Sequence, residues 1–211
     1  MPGYQVPDRA MVERALRKCG FSHGDVRAGA LMGQDAWLLI DSDSDELARR
    51  EHSGTPTLTD RALLRVLCDL PHNERIPSGS LGPTDLQILA DAPPGVVAVE
   101  GTWVMRLAAP PVSVLAAAVV DDHWDRGLDR ASVYAGFCPR VLTLIRKHSS
   151  EVDTLALSEA GFYGVGVVDA TNPHDVNVLV DPDCSPKRFG PVSWRLREQA
   201  YAATALGAVT S

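Results

Sequence analysis

At 211 residues, with 45% hydrophobic content and a formal net charge of -7, the chain holds enough apolar material for one large or two small cored domains. The acidic balance excludes a protein whose whole surface grips nucleic acid, because phosphate binding is driven by clustered Lys and Arg that release counterions. No apolar stretch approaches the length that spans a bilayer, and Met1 to Pro7 lacks the basic region and apolar run of a signal peptide, so a cytoplasmic protein with no membrane partner is expected.

Asp8 to Cys19 carries Met11, Val12, Ala15, Leu16 and Cys19 at helical spacing and stops at Gly20, which predicts a helix. Arg27 to Leu31 and Ala36 to Ile40, joined across Gly33, Gln34 and Asp35, predict a β-hairpin that carries Trp37. Ser42 to Thr57 is polar and predicts a linker with a short helix at most. At its start Asp41, Asp43 and Asp45 imitate a calcium loop, but Glu46 stands where such a loop needs glycine and His52 where it needs glutamate. A helix start capped by Ser44, with acids favoured by the helix dipole, explains these residues better.

Thr59 then caps a helix over Asp60 to Leu70, whose Ala62, Leu63, Val66, Leu67 and Leu70 form an apolar face, and Pro71 ends it. After the turn-rich Pro71 to Gly82, Thr84 caps a short helix through Ala90. Pro93, Pro94 and Gly95 lead into two strands, Val96 to Glu100 and Trp103 to Ala108. Helix, turn, helix, hairpin is the order of a winged-helix element, here over residues 58–108, with its second helix entering the major groove. That helix offers only Asp85 and Gln87 as polar readers and no cation, which is poor chemistry for phosphates or guanines. The alternative, that these are the opening elements of one α/β domain, is preferred.

Val112 to Val120 is a buried strand by its apolar run, and the segment after it places Trp124, Leu128 and Ala131 on one face of a helix. The pattern repeats with strand Arg140 to Ile145, helix Val152 to Ala160, and strands Gly164 to Asp169 and Val176 to Val180. Strands alternating with helices imply crossover units and a parallel or mixed sheet. Gly161, Gly164 and Gly166 precede a strand and not a helix, so a tight turn explains them better than a dinucleotide fingerprint does. A last helix, Val192 to Leu206, repeats Leu196, Ala200 and Ala203 at helical spacing and is expected to pack on the sheet. Cys19, Cys68, Cys138 and Cys184 show no zinc-site spacing and are expected as free thiols, and no cofactor is expected.

The strand Val112 to Val120 followed directly by the Trp124 helix resembles the PD-(D/E)XK superfamily of restriction-endonuclease-like domains, especially actinobacterial versions in which Glu-x-Lys ends the strand. The resemblance covers roughly the last half of the chain. It implies an α/β (α+β) fold with a mixed central sheet flanked by helices and a nuclease-like core in the C-terminal half, while the N-terminal half is helical and β-hairpin, the winged-helix-like order being its alternative reading. The corresponding division is residues 1–57 as helix, hairpin and linker and 58–211 as the nuclease-like domain. Aligning Trp124 and Leu128 puts the family's Glu and Lys on Ala118 and Val120, and its upstream Asp near Met105, on the strand Trp103 to Leu107. All three residues are inert. In such nucleases paired carboxylates hold a metal that activates water while the lysine offsets developing charge. Here the three lysines, Lys18, Lys147 and Lys187, have no acid two residues before them, so no D/E-x-K triplet exists and an active nuclease of the standard kind is not expected.

Three readings of function follow. The first is a catalytically inactive nuclease-like protein that binds DNA or supports a nucleic-acid-processing or defence system through Arg126, Arg130, Arg140, Lys187 and Arg188. The second is a protein-interaction module that keeps the scaffold alone. The third is a metal-dependent nuclease with a migrated site at Asp121 and Asp122. Against the first, Asp125 and Asp129 interleave with the arginines of the Trp124 helix. Against the third, an Asp122 and Arg126 pair four apart, with Asp122 capping the helix, explains the acids without a metal.

Overall fold

The computed structural model describes residues 8–146, 154–172 and 174–207, with side chains to residue 203. The start of the expected helix at Val152 lies outside the described residues, as do Met1 to Pro7 and Lys147. In chain order the elements are α1 (Arg9–Lys18), β1 (Asp25–Leu31), β2 (Gln34–Ser42), α2 (Ser44–Ser53), α3 (Arg61–Asp69), β3 (Arg75–Pro77), α4 (Pro83–Ala90), β4 (Val97–Glu100) and β5 (Trp103–Arg106). They continue with β6 (Val112–Asp121), α5 (Trp124–Ser132), β7 (Arg140–Leu144), α6 (Thr154–Phe162), β8 (Val165–Asp169), β9 (Asn177–Val180) and α7 (Pro191–Gly207). The fold is mixed α/β, with a six-stranded mixed sheet, a three-stranded sheet and seven α-helices among the described residues. None of these helices is long and apolar enough to cross a membrane.

The chain divides into two compact units, residues up to 41 with 114–188, and 42–113 with those from 189 onward. The division is nested and not linear, each unit being built from two separate stretches of the chain.

The first unit is built on the sheet in the order β1-β2-β6-β7-β8-β9. β6, β7 and β8 are parallel neighbours. Parallel strands cannot be joined by a tight turn, and α5 and α6 supply the crossovers. All five residues of β7 are buried, as expected of a strand covered on both faces. α1 lays Met11, Val12, Ala15 and Leu16 into a core with Val26, Leu39, Ala116, Ala118, Val141 and Val168. From α5, Trp124, Leu128 and Ala131 are buried, and Gly127 lets the helix approach the sheet, since a Cβ there would collide with Leu142. The β1–β2 turn falls at Met32 and Gly33, not at residues 33–35 as expected, with φ of 55° and 78° and Leu31 opposite Gln34. Two positive φ values in a two-residue turn match the twist of the flanking strands.

The second unit joins α2, α3, α4 and α7 to the sheet β3-β5-β4. Its core gathers Leu63, Leu64 and Leu67 of α3 with Leu89, Val96, Val104 and Trp194. Several expectations change here: α3 is capped by Asp60 and not Thr59, and α4 starts from Gly82 with Pro83 in its first turn and no cap from Thr84. Residues 42–57 are not mainly linker, because α2 is a 10-residue helix with Asp43 and not Ser44 at its cap, accepting from the Asp45 and Glu46 N–H groups. α7 packs on α3, and its Trp194 enters the core that Val104 of β5 shares. The strand that carries Met105 is β5 of the three-stranded sheet, so it does not flank β6, whose neighbours are β2 and β7.

Candidate functional site

Parallel strands direct ligand chemistry to their carboxyl ends, and β6 ends on an acid. Asp121 is 3% exposed, and both of its carboxylate oxygens are taken. Arg126 donates Nε to both oxygens at 3.0 Å and Nη2 to Oδ1 at 2.6 Å, Arg130 donates Nη1 at 2.8 Å, and the His123 N–H donates at 2.9 Å. Arg126 Nη2 also reaches Asp122 at 2.5 Å, and Arg146 stands 3.2 Å from the other Asp122 oxygen. The predicted Asp122 and Arg126 pair is therefore present, but the N-terminal position of α5 is His123, whose side chain makes no capping bond. Burial pushes Asp121 up, yet the bonds from Arg126, the His123 amide and Arg130 outweigh it and hold the carboxyl at about 2. In return the Asp121 bond raises Arg126 above the ordinary arginine value.

This arrangement ties a strand end to the helix that follows it. Arg130 extends the tie, with Nη2 donating to the Asp35 carbonyl at 2.7 Å. A hard metal ion needs the carboxylate oxygens that the guanidiniums occupy. Among the described residues no group of three or more His, Cys, Asp or Glu side chains is arranged to hold a metal. Ala118 is fully buried in the core under α1, and Val120 packs against that core half-buried.

The remaining expected contact residues scatter. Arg140 is 5% exposed at the start of β7, where its guanidinium donates to the Tyr163 carbonyl and burial lowers its pKa. Its guanidinium is thus engaged inside the protein. Lys187 is paired with Asp183 at 2.7 Å, and that bond holds Asp183 well below the usual carboxylate range. Arg188 is exposed. In the second unit, α4 bonds Asp85 to Arg65 and Gln87 to Asp91, so these two expected readers meet partners on the protein.

A second carboxylate centre, not foreseen from the sequence, lies in the second unit. Glu198 is 0% exposed and accepts Arg50 Nη1 at 2.8 Å and Nη2 at 2.6 Å, the Leu58 N–H at 3.1 Å and the Trp194 indole N–H at 3.0 Å. Arg50 Nε continues to Glu46 at 2.6 Å, and Arg49 holds the same acid at 2.7 Å. The only hints in the sequence are the spacings Glu46 to Arg50 and Trp194 to Glu198, each four apart and each common on solvated helices.

Comparison with family models, curated proteins and solved structures returns no match.

Proposed function

We propose that the chain is a binding protein on a nuclease-like scaffold, without hydrolytic activity, whose partner is a protein and not nucleic acid. The observation that carries this is the state of Asp121. It is the acid at the end of β6, and its lone pairs are filled by Arg126, Arg130 and a backbone N–H. The same contacts remove both a metal ligand and two of the arginines on which a phosphate grip would depend. With Arg140 buried and Lys187 paired to Asp183, the basic surface expected for DNA is largely engaged by the protein's own groups. The nuclease-like assignment is supported by the β6-α5-β7 crossover with Trp124 at the head of its helix. It is also supported by the central place of β6, whose Ala118 and Val120 put apolar groups where the resemblance expects Glu and Lys.

Two further features favour a protein partner. Phe162 is 85% exposed on α6 and meets the ring of Tyr163, also exposed, edge-on, and exposed aromatic surface of this kind marks protein contacts. In the second unit the order α3, β3, α4, β4, β5, with β3 closing on the hairpin, suits a winged-helix reading, but α4 presents Thr84, Gln87 and Ala90 to solvent and no cation. We read it as a docking element. Fluorescence anisotropy with a labelled duplex and a labelled single strand at low salt tests the proposal. No saturable binding is expected. Binding that weakens with salt and is reduced by Arg126→Ala with Arg130→Ala overturns it.

A further inference from the structure

The two edges of the six-stranded sheet are guarded differently. β9 is four residues long, lies opposite an irregularity between Val167 and Val168, and is followed at once by exposed Asp181. Short, irregular and charged edges resist pairing with another chain. β1 is seven residues long and regular throughout its register with β2. Its Leu31 and Gln34 close the two-residue turn as a hydrogen-bonded pair, so antiparallel alternation makes Ala30 with Asp35 and Ala28 with Trp37 the non-bonded pairs. The N–H and C=O groups of Ala28 and Ala30 therefore point to the open edge. Both residues are exposed, and Gly29 between them has no side chain to hold another strand away.

We propose that β1 is a self-association edge, through which two copies of this chain pair antiparallel about Gly29 and join their six-stranded sheets. The sequence around Gly29 is self-complementary in that register. Ala28 meets Ala30 of the second copy and the reverse, each pair exchanging both of its main-chain hydrogen bonds. One step out, Arg27 meets Leu31 of the second copy, and Val26 meets Met32, which is 45% exposed. No like charges stand opposed, and Arg27 is already neutralised by Asp25 at 2.7 Å. On the face carrying Ala28 and Ala30 a cavity of about 380 Å³ opens between Trp37, Asp35, Val120 and Arg130. Pairing brings the two cavities together across the axis, with the Trp37 rings to line them. With each copy at -7, repulsion opposes association, so moderate salt strengthens it. The inference is independent of the reading of Asp121.

Sedimentation equilibrium of the full chain, from micromolar to submillimolar concentration, tests it. A monomer–dimer equilibrium that tightens between low and moderate salt is expected. Ala28→Pro removes an outward N–H from each copy and leaves the β1–β2 ladder intact, and should weaken the dimer about thirtyfold. Ala30→Lys, the usual guard of natural edges, should weaken it at least as far while the circular dichroism spectrum stays that of the parent chain. A chain that stays monomeric at every concentration and salt, or a dimer indifferent to Ala30→Lys, overturns the proposal.

Discussion

Asp121 and Glu198 are both carboxylates clasped by arginine, one in each unit, and they differ in what surrounds the clasp. Glu198 is sealed: Arg50 is 2% exposed, Glu46 4%, and every donor around them is spent inside the protein. Asp121 is itself buried, but Arg126 is 52% exposed and Arg146, on neighbouring Asp122, 54%. The pairs Glu46 with Glu198 and Arg49 with Arg50 balance in charge, whereas Asp121 and Asp122 face three arginines. A buried acid at a strand end thus becomes a structural clamp once guanidiniums hold its lone pairs, whatever its position would mean in a nuclease.

The comparison predicts unequal consequences. Glu198→Ala strands Arg50 in the interior without its bidentate partner and should destabilise the protein by about 3 to 5 kcal/mol in urea unfolding. A loss below about 1 kcal/mol would mean that water reaches Arg50 and that the two centres are alike. Asp121→Asn should lose about 2 kcal/mol, because its arginines rehydrate where the buried Arg50 cannot.

Acid should find the Asp121 contribution. Its folded pKa of about 2 lies below the ordinary 3.8, so the stabilisation is present at neutral pH and is lost as pH falls from about 4 towards 2. The amount is about 2 kcal/mol, and Asp121→Asn should flatten that part of the stability curve. An unchanged slope in the variant would assign the acid transition to other groups. The smallest effect is expected for Arg126→Ala, a urea midpoint close to that of the parent chain, since the side chain is half-exposed and Arg130 still holds the carboxylate.

Most of the secondary structure was legible because it rests on periodicity. Met11, Val12, Ala15 and Leu16 predict α1, Leu63, Val66 and Leu67 predict α3, and the apolar run predicts β6. The failures share one cause, that tertiary partners are invisible in a single sequence. α2 buries Glu46 and Arg50 and so lacks an apolar stripe, which made it read as linker. β5 and β6 follow one another in the chain, yet β6 pairs with the distant β2 and β5 lies in the other sheet. At the candidate site the Asp122 and Arg126 pair was readable from its spacing, while the closer grip of Arg126 and Arg130 on Asp121 depends on how α5 leaves the end of β6. Arg140 reads as a surface cation because nothing in the sequence shows that its guanidinium bonds the Tyr163 carbonyl.

The central claim, that the acid at the end of β6 belongs to a clamp and not to a metal centre, is tested most directly by incubating the purified chain with supercoiled plasmid DNA in magnesium or manganese. The account predicts no cleavage at any concentration of either ion, alike in the parent chain and in Asp121→Ala. Cleavage by the parent chain that needs the metal and disappears in Asp121→Ala would contradict it.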